Sequence, residues 1–236
     1  MNKLVILSSL IEKLKEVFGE KLVSVVLYGS CANDECENEF SDINTIVVID
    51  KLLAIDLKNA TFALKDFMKT KHPLPLFMDK EEWFNSCDVY PIEYSDIKDR
   101  YKILFGEDIV EALVLEKTNL RLQCEHETKN LLIKLRQNYL AKSNDLKAIE
   151  TLLKKSSKGF FALFRAILRL TEAEVSFNHK EAINVLAQKV KIEKDVFLNL
   201  LEFRTNSKAI SKNEYELTIQ KLIDSTDEIL KYIDKM

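Results

Sequence analysis

The sequence is poor in the two residues that most often form turns. It contains four Gly and three Pro among 236 residues. A protein built from many short strands needs such residues between them, so their scarcity argues against a turn-rich β architecture and favours long helices. Residues 107–236 contain one Gly and no Pro, and we therefore expect that part of the chain to be almost entirely helical.

An excess of positive charge and a long apolar run are also missing. The formal net charge is -3 and the sequence pI is about 5.8, which disfavours a dedicated nucleic-acid surface because such surfaces need clustered Lys and Arg. No apolar run approaches the length of a membrane span, and the start of the chain does not have the pattern of a secretory signal. The composition, 47% hydrophobic and 31% charged, therefore predicts an ordinary globular protein of the cytoplasm without a membrane partner.

Paired cysteines are absent as well. Cys31, Cys36, Cys87 and Cys124 form no CxxC pair and match no zinc spacing, so a structural zinc site is not expected. In a reducing cytoplasm the four residues should be free thiols.

Two apolar runs organise the first part of the chain, at residues 22–28 and 43–49. Both are short and rich in β-branched residues, and neither alternates between apolar and polar positions. This pattern is typical of strands that are buried on both faces, as in parallel sheets.

Small and polar residues lie at the ends of these runs. Gly29 and Ser30 follow the first strand, where the lack of a Cβ at Gly29 would let backbone N–H groups approach a phosphate. Asp42 and Asn44 open the second strand, and because strand side chains alternate, both should project from the same face. Oxygen ligands at a strand end are suited to a metal ion.

Gly-Ser at a strand end, a short spacer and then Asp-x-Asn opening an apolar strand resemble the DNA polymerase β-like nucleotidyltransferase superfamily, including its small bacterial members and kanamycin nucleotidyltransferase. The resemblance implies that Gly29 and Ser30 hold the triphosphate of a nucleoside triphosphate. It also implies that Asp42, the residue at position 44 and a third acid hold Mg²⁺. The implied reaction is transfer of a nucleoside monophosphate to a hydroxyl of a small-molecule or protein acceptor.

Position 44 departs from the superfamily pattern, which has a carboxylate there. An amide oxygen can ligate Mg²⁺, but the neutral Asn44 removes one negative charge from the site. Two functions follow: a Mg²⁺-dependent nucleotidyltransferase, or a weakened or inactive relative that senses nucleotides or binds a partner. The string Ser41-Asp42-Ile43-Asn44, together with residues 88–106, resembles a subfamily in which Asn44 is a regular feature.

The third acid should come from a strand next to the Asp42 strand. Residues 88–96 read as a strand with Pro91 at an edge or bulge, which makes Glu93 the first candidate for a catalytic metal ligand, with Asp96 and Asp79 behind it. An edge carboxylate that merely pairs with a nearby Lys or Arg explains Glu93 equally well.

The remaining pattern of the first domain predicts helices over residues 4–18 and 52–70, the second as the crossover between parallel strands, and a strand over 74–78. Asp79 reads as the N-cap of a brief helix, and Trp83 as a packing residue. The loop 31–40, with Asp34, Glu35, Glu37 and Glu39, reads as a solvated acidic loop.

We therefore predict an α/β plus all-α protein: a nucleotidyltransferase-like domain over residues 1–106, with a mixed sheet flanked by helices, and a helical bundle of about five helices over 107–236. The longest helix is expected at 109–141. Its polar stripe, and an Arg pair on the next helix, either face a substrate cleft or are simply solvated; these residues are Arg121, Glu125, Arg136, Arg165 and Arg169. A long exposed helix would also suit a homodimer.

Overall fold

The computed structural model describes residues 3–32, 42–171, 177–204, 206 and 209–236. By its contacts the chain divides into two compact units, 1–115 and 116–236. The acidic residues predicted to form a solvated loop, Asp34, Glu35, Glu37 and Glu39, lie outside the described residues.

The described part of the first unit forms a four-stranded sheet with the strand order β3-β2-β1-β4. The strands are β1 (Leu22–Tyr28), β2 (Asn44–Ile49), β3 (Leu76–Asp79) and β4 (Tyr101–Gly106), and the helices are α1 (Lys3–Phe18), α2 (Ala54–Leu64), α3 (Lys80–Asn85) and α4 (Pro91–Asp99). β1 pairs antiparallel with β2 and with β4, whereas β2 pairs parallel with β3. The predicted mixed sheet flanked by helices is confirmed, and α2 is the crossover between its two parallel strands.

Helices cover both faces of the sheet, which explains why β1 and β2 are apolar throughout. On one face Val25 and Val47 belong to a core with Leu10 and Leu14 of α1 and with Ala60 of α2. On the other, Val26 and Ile46 belong to a core with side chains of α3 and α4. The continuous apolar runs of β1 and β2 thus indicate burial on both faces. The expectation of parallel strands holds for β2, which pairs parallel with β3, and is wrong for β1, which pairs antiparallel with both of its neighbours.

The first unit extends beyond the predicted boundary at residue 106. Ile109, Val110 and Leu113 are buried in the core that contains Trp83, and the Trp83 indole N–H donates to the carbonyl of Ile109 at 3.0 Å. These apolar residues belong to a loop, and the long helix starts at Lys117 rather than at 109. Trp83 is fully buried, as expected of a packing residue.

The described part of the second unit folds into five helices, as predicted. They are α5 (Lys117–Lys142), α6 (Leu146–Leu170), α7 (His179–Lys189), α8 (Lys194–Phe203) and α9 (Tyr215–Ile233). The core contains an aromatic group in which Phe197 of α8 meets Phe160 and Phe164 of α6 edge to face, with ring centroids 5.2 and 4.9 Å apart. None of the described helices has the length and apolarity that crossing a membrane would require.

The cysteines follow the prediction only in part. Cys87 and Cys124 are free thiols, but Cys31 is disulfide-bonded, so the expectation of a free thiol is wrong at that position. Spacing cannot reveal such a bond, because a disulfide requires proximity in space and not a CxxC motif. Cys36 lies outside the described residues.

Gly106 ends β4 in a conformation that only glycine adopts easily. Its φ is +81°, and a Cβ there would lie 2.0 Å from the carbonyl oxygen of Val23. Gly19 also has a positive φ, +52°, but a Cβ there would meet nothing within 4 Å.

We expect Gly106→Ala to lower the free energy of unfolding by about 3 kcal/mol, from backbone strain plus overpacking. Gly19→Ala should cost about 1 kcal/mol, from strain alone. Urea denaturation measures both, and equal losses would contradict the predicted difference.

An ion-pair cluster joins α1 to the segment after α2. Asp66 accepts hydrogen bonds from Lys13 and Lys69, and these bonds lower the pKa of Asp66 from 3.8 to about 2. A lowered folded-state pKa stabilises the fold above the unfolded pKa, and this contribution is lost as the pH falls from 3.8 towards 2.

We therefore expect Asp66→Asn to lower the melting temperature at pH 7, and the difference from wild type to disappear near pH 2. Because Asp66 is half exposed, solvent screening keeps the effect modest. Glu12→Gln removes an exposed pair within α1 and serves as the control, with little change at either pH. A difference between Asp66→Asn and wild type that persisted at pH 2 would count against the ion pairs as its cause.

Candidate nucleotide site

The turn after β1 is held by backbone hydrogen bonds. Gly29 has a φ of +78°, and its N–H donates to the carbonyl of Arg100 at 3.0 Å, while its carbonyl accepts from the N–H of Ala32 at 3.0 Å. The Gly29 N–H is therefore already used and cannot bind a phosphate. Ser30 starts a short 3₁₀ helix, and among the described residues its N–H and hydroxyl have no hydrogen-bond partner.

Asn44 lies directly beside this turn. Tyr28 and Asn44 are partners across the β1–β2 ladder, and a Cβ on Gly29 would lie 3.4 Å from the Asn44 side-chain nitrogen. The glycine therefore leaves space for the Asn44 amide. Gly29 and Asn44 belong to the two halves of the sequence motif and are fifteen positions apart in the chain, and they meet in the fold.

Asp42 lies two residues before Asn44, and 61% of its side chain is exposed. The nearest described charge partner is His72, with Nδ1 at 3.6 Å from the carboxylate Oδ1. The same His72 Nδ1 accepts a hydrogen bond from the backbone N–H of Ile43 at 3.4 Å. His72 therefore contacts the backbone between Asp42 and Asn44.

His72 was not among the predicted site residues. The signal is absent from the sequence because residues 43 and 72 are far apart along the chain. Only the parallel pairing of β2 with β3, which follows His72, brings them together.

Asp79 does not belong to this site. In the parallel β2–β3 pair Asp79 lies beside Ile49, five residues along β2 from Asn44, or roughly 17 Å at the strand rise. Its carboxylate instead accepts a hydrogen bond from the Glu82 N–H at 2.8 Å and caps α3. The N-cap prediction for Asp79 is confirmed.

Glu93 lies on helix α4, so the predicted strand over residues 88–96 is wrong. Pro91 occupies the first turn of α4, where its fixed φ suits helix initiation and its missing N–H costs nothing. The Glu93 side chain is exposed in that first turn. Helix α4 ends next to Arg100, whose carbonyl contacts the Gly29 turn, so Asp96 is nearer than Glu93 to that end of the helix.

The described side chains around Asp42 offer few ligands for a divalent metal ion. Among the residues with described positions, no group of three or more His, Cys, Asp or Glu side chains forms a metal site. Mg²⁺, however, often takes only one or two protein oxygens and completes its shell with phosphates and water. The exposed Asp42 carboxylate and the adjacent Asn44 amide fit that smaller requirement when a nucleotide supplies the phosphates.

On α5 two of the cationic side chains form ion pairs with the same carboxylate, that of Glu125. Arg121 pairs with Glu125 at 3.2 Å, and Lys129 pairs with the same carboxylate. The hydrogen bond from Lys129, followed by the charges of both cations, lowers the pKa of Glu125 below its usual value. On α6 the Arg165 guanidinium donates to the Phe161 carbonyl at 3.3 Å.

Comparison with known proteins rests on structure alone. No protein-family model matches the chain, and no curated protein matches its sequence. Among solved structures, the chain is similar to spectinomycin adenyltransferase AAD(9) from Enterococcus faecialis, which was crystallised with ATP and spectinomycin. The TM-score is 0.56 at 16% identity, and the match covers 93% of this chain and 99% of that one.

The chain shares the fold of this adenyltransferase. The predicted mixed sheet and the predicted helical region are both present in the described residues. The turn at Gly29–Ser30 and the start of β2 lie side by side in the fold.

Proposed function

We propose that the chain is a nucleotidyltransferase, which binds a nucleoside triphosphate with Mg²⁺ and transfers the nucleoside monophosphate to a hydroxyl of a small-molecule or protein acceptor. The observation that carries the proposal is the contact between Gly29 and Asn44, with the exposed Asp42 two residues before Asn44 in the chain. The structural neighbour, an adenyltransferase crystallised with ATP and spectinomycin, supports a nucleotide and a small molecule as the substrate pair.

Each residue has a defined part in the proposed reaction. The Ser30 N–H and hydroxyl donate to the triphosphate, since these donors are not used within the described fold. Asp42 and Asn44 would hold Mg²⁺, which neutralises charge on the phosphates when it is bound. Asp42 and Glu93 remain the predicted catalytic residues, and Asp42 has the stronger support because it is two residues from Asn44, which contacts Gly29.

The bonds that change are those at the α-phosphorus. The acceptor oxygen forms a new bond to this phosphorus, the bond to the bridging oxygen of the β-phosphate breaks, and pyrophosphate leaves. The proton of the acceptor hydroxyl passes to a carboxylate. His72, through its hydrogen bond to the Ile43 N–H, fixes the backbone that carries Asp42 and Asn44.

A second function is favoured by one specific observation, the neutral Asn44 where a carboxylate is expected. With one fewer negative charge, metal binding depends more on the nucleotide's own phosphates. In this alternative the chain binds nucleotide and reports it to a partner without efficient transfer.

Two measurements, made one after the other, test the proposal. Thermal stability is followed while ATP, GTP, CTP and UTP are titrated with and without Mg²⁺, because a ligand that binds only the folded state raises the midpoint. Pyrophosphate release is then measured with aminocyclitol and other polyhydroxyl acceptors. Release that requires both acceptor and Mg²⁺ supports the transferase. A shift without release supports the sensor, and the absence of any shift removes both functions.

A further inference from the structure

A groove of about 410 Å³ runs between α5 and α6 in the second unit, towards the loop that joins them. Its floor is apolar, with Leu131 and Leu135 from α5 and Leu152 from α6. The facing positions of α6 carry small residues, and a Cβ added to Gly159 would lie 3.0 Å from a Leu131 methyl carbon. Leu131 therefore already packs against Gly159, and the groove lies along the rest of the lining, where α6 contributes Ala148, Thr151 and Ser156.

The rim of the groove is positively charged. Lys134 and Lys142 from α5 and Lys155 from α6 line it, and no Asp or Glu is among the described lining residues. All three lysines are exposed, and within the described part of the chain none of them has an ion-pair partner.

Two other lysines on the same helices do have an ion-pair partner. Lys129 of α5 pairs with Glu125, and Lys154 of α6 pairs with Glu150 at 2.7 Å, both at the i, i+4 spacing. Among the described residues the three groove lysines have no such partner, and neither do Lys147 and Lys158 of α6, so what distinguishes the groove lysines is the apolar floor that they surround. An apolar floor under uncompensated positive charge complements a ligand with an apolar body and an anionic head.

We infer that this groove binds a small amphiphilic anion, with an aliphatic body against the leucines and a carboxylate among Lys134, Lys142 and Lys155. A volume of about 410 Å³ lies within the range of small-molecule sites. A protein partner would instead need a contact of roughly 800 Å² on each side. This site is separate from the proposed nucleotide site and does not depend on it.

The probe is octanoate, added to the full chain and followed by NMR chemical shifts of backbone amides and by calorimetry. The matched neutral probe is 1-octanol, and the matched charge-only probe is inorganic phosphate. We expect octanoate to saturate one site, with shifts centred on the groove and an affinity about tenfold above that of octanol. Added salt should lower the octanoate affinity and leave that of octanol unchanged.

Two variants separate charge from shape. The double variant Lys142→Glu/Lys155→Glu should weaken octanoate binding at least about tenfold and leave octanol binding unchanged. Lys147→Glu/Lys158→Glu makes the same change in net charge on exposed positions of α6 outside the groove lining, and it should bind octanoate as wild type does. Ala148→Phe keeps all charges, fills the groove and should block both probes.

Several outcomes would overturn the inference. Octanoate shifts scattered over exposed leucines, or equal losses in the two double variants, would mean nonspecific binding. Phosphate binding as tight as octanoate binding would leave a simple anion site without a role for the apolar floor. A dimer in light scattering, with amide shifts at the groove that depend on protein concentration and no octanoate binding, would make the groove an interface between chains.

Discussion

Replacing Asp42 with asparagine is expected to abolish the Mg²⁺-dependent part of nucleotide binding and to lower Mg²⁺-dependent turnover by about 100-fold or more. Asp42 is the one carboxylate at the start of β2 among the described residues, and its largely exposed side chain lies two residues before Asn44, which contacts the Gly29 turn. Without it, Asn44 would be the only motif residue left to ligate the metal. The measurements are the thermal shift with ATP, with and without Mg²⁺, and the rate of pyrophosphate release.

Asp50→Asn is the matched control for this variant. Asp50 follows the same strand β2 at its other end and is exposed, so the change removes the same charge away from the site. It should leave both measurements as in wild type. An Asp42→Asn protein that kept the full Mg²⁺-dependent shift would rule out Asp42 as the metal-binding residue.

Replacing Asn44 with aspartate is expected to raise turnover about tenfold or more and to lower the Mg²⁺ concentration required. The change restores a second negative charge two residues from Asp42, on the same face of the strand, where hard anionic oxygens favour Mg²⁺. The position tolerates the change sterically, because the Asn44 side chain lies against Gly29, which has no Cβ.

A charge-matched control separates the site effect from a general change in net charge. Asn85→Asp adds the same charge at the exposed end of α3 and should change neither turnover nor Mg²⁺ dependence. If Asn44→Asp also left both unchanged, position 44 would have no contact with the metal, and the weakened-enzyme interpretation would lose its physical basis.

Local pattern was sufficient for most of the secondary structure. The bounds predicted for β1 match Leu22–Tyr28, and the capping role of Asp79 was readable from its position before two glutamates. These features depend on a few adjacent residues and on burial, which a sequence displays directly. The helical second unit follows in the same way from long apolar periodicity without Gly or Pro breaks.

The errors came from residues with two physical interpretations. Pro91 suits either a strand edge or the first turn of a helix, and only the packing of Tyr94 and Ile97 into the core selects the helix α4. The sequence did not show that β1 runs antiparallel to β2. Both strands are buried on both faces, so both are apolar throughout, a pattern that had been taken to indicate parallel strands.

For the candidate site, the sequence placed Gly29, Asp42 and Asn44 together through the resemblance, and the fold confirms the contact between Gly29 and Asn44. It could not show that the Gly29 N–H is already bonded to Arg100, nor that His72 lies beside Asp42. Both contacts join residues far apart in the chain, and no local pattern encodes them.

Paramagnetic broadening by Mn²⁺ with ATP tests most directly whether the nucleotide site lies at the turn after β1. Mn²⁺ replaces Mg²⁺ at oxygen ligands and broadens the amide signals of nearby residues. We predict that the signals of Gly29, Ser30 and Ile43 broaden first, while those of Asp50 and Asp79 at the opposite end of β2 stay sharp. Sharp signals at Gly29 and Ser30 under saturating Mn²⁺ and ATP, or broadening centred on Asp79, would contradict the account.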